Sequence, residues 1–209
     1  MNEMGAEVEV ISHPMMPVKR VTNIETFEEK LEIAYQRGQD PWKTLTVSRE
    51  QLASAQKIIG LSRQGVAVNS ENAKEVVKYM GVLESLNYDQ LPRQNSVSHM
   101  GWLQDGQFMP YVKDVSYDGD SPEFLKMYDE FKPTGDEQTW LNIAKEVRKA
   151  ESVPARIALA SSFAAPLVQI LGGLPFFVHF WGETGCGKTV GLMLAASVWG
   201  NPDVGRYVK

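Results

Sequence analysis

The chain has 209 residues, 43% hydrophobic and 22% charged, which is enough apolar material for a sizeable core and excludes wholesale disorder. Its one cysteine excludes an internal disulfide and fits a reducing cytoplasm, where the protein is placed. The formal charge of -5 is uneven: residues 151–209 hold four Lys/Arg and three Asp/Glu, so the acidity lies in residues 1–150, which argues against phosphate binding there.

The N-terminus is acidic and lacks an apolar run, so no secretory signal is read. Through Pro14-Met15-Met16-Pro17 the chain reads as an extended lead-in. A strand follows from about Val18 to Ile24. In the next one Leu31, Ile33 and Tyr35 alternate with Lys30, Glu32 and Ala34, which predicts one buried and one wet face. Gly38 to Pro41 turns the chain, and Trp42 to Val47 returns it as a β-rich partner. The charges Glu28, Glu29, Lys30 and Glu32 read as a solvated strand face, not a catalytic cluster.

A helix is predicted from Ser48, with Gln51 completing a capping-box pattern and Leu52, Ala55 and Ile59 on one face. A second covers about Ser70 to Leu86, with Val76, Met80 and Leu83 inward. Ser96–Leu103 and Gln107–Val112 flank Gln104-Asp105-Gly106 and read as a hairpin; His99 within it reads as a hydrogen-bonded side chain, since no ligand-spaced partner accompanies it. Asp114 to Glu130 reads as a surface connection into a short helix, without the spacing of a Ca²⁺ loop.

Lys132-Pro133-Thr134-Gly135 divides the chain into residues 1–132, an α+β N-terminal domain, and residues 133–209, a helical connection followed by a first strand, loop and helix unit. A helix from Asp136 to about Lys149 presents Trp140, Ile143, Ala144 and Val147. Its successor starts at Ser152, with Pro154 in the tolerated first turn, and runs Ala-rich to Leu171; Ala158, Ala160, Ala164 and Ala165 suit close packing against a sheet. Ile157 to Gly182 holds no charge if His179 is neutral and is long enough for a bilayer, but Pro166 and Gly172-Gly173 divide it, so a buried helix plus a buried strand is expected and no membrane partner.

The most informative stretch runs from Phe176 to Thr189. The unalternating apolar run Phe176–Trp181 predicts a strand buried on both faces, followed by Gly182-Glu183-Thr184-Gly185-Cys186-Gly187-Lys188-Thr189 and a helix carrying Leu192, Ala195, Ala196 and Trp199 up to Gly200-Asn201-Pro202. This is the phosphate-gripping GxxxxGKT pattern in the expected context. Glycines free the backbone to turn N–H groups onto phosphate oxygens, and the helix dipole points the same way. Lys188 is assigned to the β and γ phosphates and as the catalytic residue, and Thr189 to the Mg²⁺ that bridges them. The nucleotide-binding set is Gly182, Glu183, Thr184, Gly185, Cys186, Gly187, Lys188 and Thr189, with ATP and Mg²⁺ as cofactors. Cys186, beside the helix start, is a second point of interest as an alkylation target; the plainer reading is a small residue tolerated in the loop.

The chain resembles the family catalogued as domain of unknown function 927, of bacteria, phages and mobile elements, through Pro17-Val18-Lys19-Arg20, Trp42-Lys43-Thr44-Leu45, Ser70-Glu71-Asn72-Ala73-Lys74, Met100-Gly101-Trp102, Val153-Pro154-Ala155-Arg156, and Phe177 to Gly182 leading on to Ala195-Ala196-Ser197-Val198-Trp199-Gly200. The resemblance implies a β-rich α+β N-terminal region feeding a RecA-like P-loop ATPase core, α/β in class, in a helicase-like protein serving phage or mobile-element DNA replication. Such an ATPase needs a second acidic site, and after Thr189 the only carboxylate is Asp203, in a turn, so the chain reads as the front part of a longer enzyme and is not expected to turn nucleotide over alone. Two classes stay open: part of an ATP-driven nucleic-acid motor, or a catalytically inactive nucleotide-binding or partner-interaction module. Beyond the nucleotide, partners left open are nucleic acid, through regions beyond this chain, and a second copy of the chain.

Overall fold

The computed structural model describes residues 9–119 and 121–203. In chain order its elements are strands β1 (Met15–Asn23), β2 (Glu29–Tyr35) and β3 (Lys43–Ser48); helices α1 (Arg49–Ala53), α2 (Ala55–Ile58) and α3 (Ala73–Asn87), with a 3₁₀ turn at Ile59–Gln64; strands β4 (Arg93–Val97), β5 (Gly101–Trp102), β6 (Phe108–Met109) and β7 (Val115–Tyr117); and helices α4 (Pro122–Glu130), α5 (Glu137–Lys149), α6 (Val153–Ala164), α7 (Leu167–Ile170) and α8 (Lys188–Ala196). The fold is thus mixed α and β. It divides into two compact units, Met1–Val97 with Asp114–Asp118, and Ser98–Lys113 with Gly119–Lys209. The sequence places its boundary at residue 132. The units part earlier because β7 pairs with β4 and draws 114–118 into the first unit's sheet, while the hairpin before it belongs to the second.

The first unit is a five-stranded sheet in the order β3-β2-β1-β4-β7, with β1, β2 and β3 antiparallel and β4 and β7 parallel to β1. The alternation in β2 works as read: Leu31, Ile33 and Tyr35 are buried and join Met15, Val47, Ile58, Leu61, Val76 and Met80 in one core. On the wet face Lys19 pairs with Glu32 at 3.0 Å. Ala34 departs from that face's character and is buried, because its cross-strand neighbours Met16 and Thr44 flank so small a side chain. The lead-in is shorter than read: residues 1–8 lie outside the description, and Met15, Met16 and Pro17 already pair with Tyr35, Ala34 and Ile33.

Ser48 caps α1 by accepting from the Gln51 N–H at 3.2 Å, but the single helix expected over Leu52, Ala55 and Ile59 is interrupted at Ser54, whose own hydroxyl caps α2. That is the competition Ser side chains offer to a continuing helix. Three devices tie the layers together. The Arg49 guanidinium in α1 forks between two glutamates: Nη1 donates to both carboxylate oxygens of Glu84 in α3 at 2.5 and 2.6 Å, and Nη2 to Glu29 of β2 at 3.1 Å. Buried His13 accepts the Ala67 N–H on Nε2 at 2.9 Å, and the Arg20 guanidinium lies over the Tyr88 ring at 3.8 Å. At the carboxyl ends of β1 and β4, Asp118 accepts from Ser96 Oγ at 2.8 Å and Asn23 Nδ2 at 3.4 Å, which holds the three-residue β7 in place.

The second unit is mainly helical. Its hairpin is reduced to two residue pairs, Gly101 with Met109 and Trp102 with Phe108; Ser96 and Val97, read as part of it, belong to β4. Asp136 caps α5, accepting from the Thr139 N–H at 2.8 Å, yet α5 buries no residue and Ile143 is exposed. The helix expected from Ser152 to Leu171 breaks at Pro166, whose missing N–H ends the ladder and separates α6 from α7. No described strand covers Phe176–Trp181. The composition of that run is a strand's, but a strand exists only as hydrogen-bonded pairing, and no described segment lies in register with it. Phe177 is fully exposed and Trp181 86% exposed, so the expected buried strand is corrected to an unpaired segment with these two rings in solvent. No helix among the described residues is long and apolar enough to cross a membrane.

Candidate functional site

The loop from Gly182 to Gly187 leads straight into α8, and its glycines are required by their backbone angles: φ is 150° at Gly182, 87° at Gly185 and 88° at Gly187, all positive. Gly182 has a second reason. A Cβ there would stand 2.8 Å from Cys186 Sγ, closer than such atoms approach. Gly187 is the N-cap of α8 and offers no side chain, so the first amides of the helix gain no internal side-chain cap. Lys188 and Thr189 are its first two residues.

Lys188 turns back over the loop. Its Nζ donates to the carbonyls of Gly182 and Glu183, both at 2.8 Å, and lies 3.6 Å from Cys186 Sγ. The ammonium therefore closes the loop it would serve, and an anion entering would compete with two neutral carbonyls for it. Glu183, Thr184, Cys186 and Thr189 are exposed.

What positions α8 is α6. Gly191 faces Ala158, where a built Cβ would come 3.9 Å from the Ala158 Cβ, and Ser162 Oγ donates to Ala195 O at 2.6 Å while accepting from Trp199 Nε1 at 2.9 Å. The small residues of α6 thus serve close packing on a helix, not on a sheet as their composition suggests. A cleft of about 650 Å³ results, lined on one element by Gly182, Cys186, Gly187 and Lys188 and on another by Ser152 and Pro154 at the start of α6. The volume is in the range of small-ligand sites. The start of α6 and His179, which also lines the cleft, were not singled out from the sequence as site residues; no local pattern announces that a helix some thirty residues upstream shares the loop's cleft. Among the described residues no group of three or more His, Cys, Asp and Glu is arranged to hold a metal ion. Among the described residues lining the cleft there is no Asp or Glu, Asp203 included.

The geometry defines a mixed α and β chain in which a GxxxxGKT loop opens a helix beside a cleft. It belongs to the family described as Domain of unknown function (DUF927), whose profile matches residues 1–209. Among solved structures, one described as "SCCmec type IV Cch - active helicase" is 17% identical, with a TM-score of 0.49; the match covers 90% of this chain and 37% of that one. No curated protein matches the chain.

Proposed function

We propose that Gly182–Thr189 bind the triphosphate of ATP with Mg²⁺, and that the chain is the nucleotide-binding portion of a helicase-like ATPase of a RecA-like kind, serving phage or mobile-element DNA replication. One observation carries the reading: a loop of positive-φ glycines leads into α8 with the Lys188 ammonium turned inward over it. In this reading the loop amides and Lys188 hold phosphate oxygens, and the Thr189 hydroxyl takes a position on Mg²⁺. The ion, when bound, neutralises phosphate charge. Of the residues described, the Thr189 hydroxyl is the one that would hold it. Lys188 exchanges the carbonyls of Gly182 and Glu183 for a charged partner, a stronger class of hydrogen bond.

A second reading is a catalytically inactive nucleotide-binding or partner-interaction module, since the described residues lining the cleft include no Asp or Glu to orient an attacking water. Both readings share one test. A fluorescent ATP analogue should bind the chain in the presence of Mg²⁺ and lose that binding in Lys188→Ala, with the thermal midpoint unchanged because the side chain is in no core. Equal binding by the variant would remove the assignment. Hydrolysis measured in a longer form that supplies a second acidic site then separates the motor from the module.

A further inference from the structure

Away from the loop, the second unit holds an apolar cavity of about 320 Å³ between the β5–β6 hairpin, Phe131, the corner at Pro166 and Trp199. Trp102 and Phe108 meet edge to face with centroids 4.9 Å apart, and Phe108 and Trp199 lie nearly parallel at 5.9 Å. Both indole N–H groups are already used, Trp102 Nε1 on Pro166 O at 2.7 Å and Trp199 Nε1 on Ser162 Oγ at 2.9 Å. What the rings offer to the cavity is therefore π faces and C–H edges, and Gln169 brings the one amide in the lining. Trp199 also lines a second cleft of about 570 Å³, and there its companions are Trp140, Tyr111 and the carboxylate-bearing Asp136 and Glu137. Hydrogen bonds from Thr139, by hydroxyl and by N–H, hold the Asp136 carboxyl below the usual range, so it is charged at neutral pH.

We propose that the two clefts together form a docking site for a peptide segment of a partner protein in which a large apolar side chain is followed closely by Lys or Arg. The apolar side chain enters the cavity of Trp102, Phe108 and Trp199, where it displaces water from the ring faces. The basic group then lies over Asp136 and Glu137. The choice of occupant rests on that charge. A single-stranded nucleic acid also stacks on aromatic faces, but its phosphates would have to run past two carboxylates.

The test uses the purified chain as bait for a phage-displayed library of random peptides, with selected peptides then titrated by fluorescence anisotropy. The expected outcome is an enriched pattern of an aromatic or large aliphatic residue followed within a few positions by Lys or Arg. Affinity should fall about tenfold or more in the double variant Asp136→Asn with Glu137→Gln, in which Asn keeps the helix cap. Gln169→Trp, at an exposed position, should also weaken binding by narrowing the cavity. Circular dichroism establishes that both variants are folded. No enrichment, an enriched pattern without basic residues, affinity unchanged in both variants, or oligothymidylate displacing the peptides would each overturn the proposal.

Discussion

The two units of this chain spend their apolar residues differently. In the first, Leu31, Ile33, Ile58 and Val76 have no exposed surface at all and belong to one continuous cluster. In the second, α5 and α8 bury nothing, and Leu174, Phe177 and Trp181 stand in solvent just ahead of the glycine loop. The first unit is a packed scaffold by the ordinary measure of a closed core. The second holds its loop by a few close helix contacts, Gly191 on Ala158 and Ser162 on Ala195, so its geometry depends on small residues and not on a large core. The difference teaches that stability and the candidate chemistry are carried by different parts of the chain.

The largest effect that sharpens this contrast is a pair of alanine substitutions. Ile33→Ala removes fully buried methylenes and should cost about 2–5 kcal/mol in urea unfolding. Phe177→Ala, at a fully exposed ring, should stay within about 0.5 kcal/mol. Comparable losses from both would break the comparison.

Smaller is the effect expected of Arg49→Leu. Burial works against the Arg49 charge, and the bonds and attraction of Glu84 and Glu29 outweigh it, so its pKa is raised from an already high value and no accessible pH uncharges it. Losing the fork should cost about 1 kcal/mol, between an exposed and a fully buried pair, because the guanidinium is partly exposed while Glu84 is mostly covered. The same denaturation measurement checks it.

The smallest effect is a pH dependence at the start of α5. The Asp136 carboxyl is lowered by the Thr139 hydroxyl and N–H, so the cap is intact above the ordinary aspartate range and is lost as pH falls through the lowered value. Helix content followed by circular dichroism should therefore drop late in an acid titration, and Asp136→Ala should remove that step. A step at the ordinary aspartate range would contradict the cap.

Much of this was legible in the sequence, for reasons that differ by element. The alternation of Leu31, Ile33 and Tyr35 encodes a half-buried strand, and the Ser48 and Asp136 caps are written in residue type and spacing. The loop and helix from Gly182 onward were legible because glycine at positive φ and Lys-Thr at a helix start are local requirements. Pairing was not legible. β7 is three residues, Val115, Ser116 and Tyr117, whose place is set by Asp118 reaching Ser96 and Asn23 from far along the chain. Phe176–Trp181 has a strand's composition, and composition cannot say whether a neighbour lies alongside. The cleft shared by the start of α6 and the loop was hidden for the same reason, since Ser152 and Lys188 come to line one cleft only through helix packing.

The central claim, that nucleotide is held at Gly182–Thr189 by residues of the second unit and not by the first, is tested most directly by amide hydrogen exchange with and without Mg-ATP. The account predicts added protection confined to the glycine loop and the first turn of α8, absent in Lys188→Ala, with exchange in β1, β2 and α3 unchanged. Protection centred on the first unit, or none at the loop while ATP is bound, would contradict it.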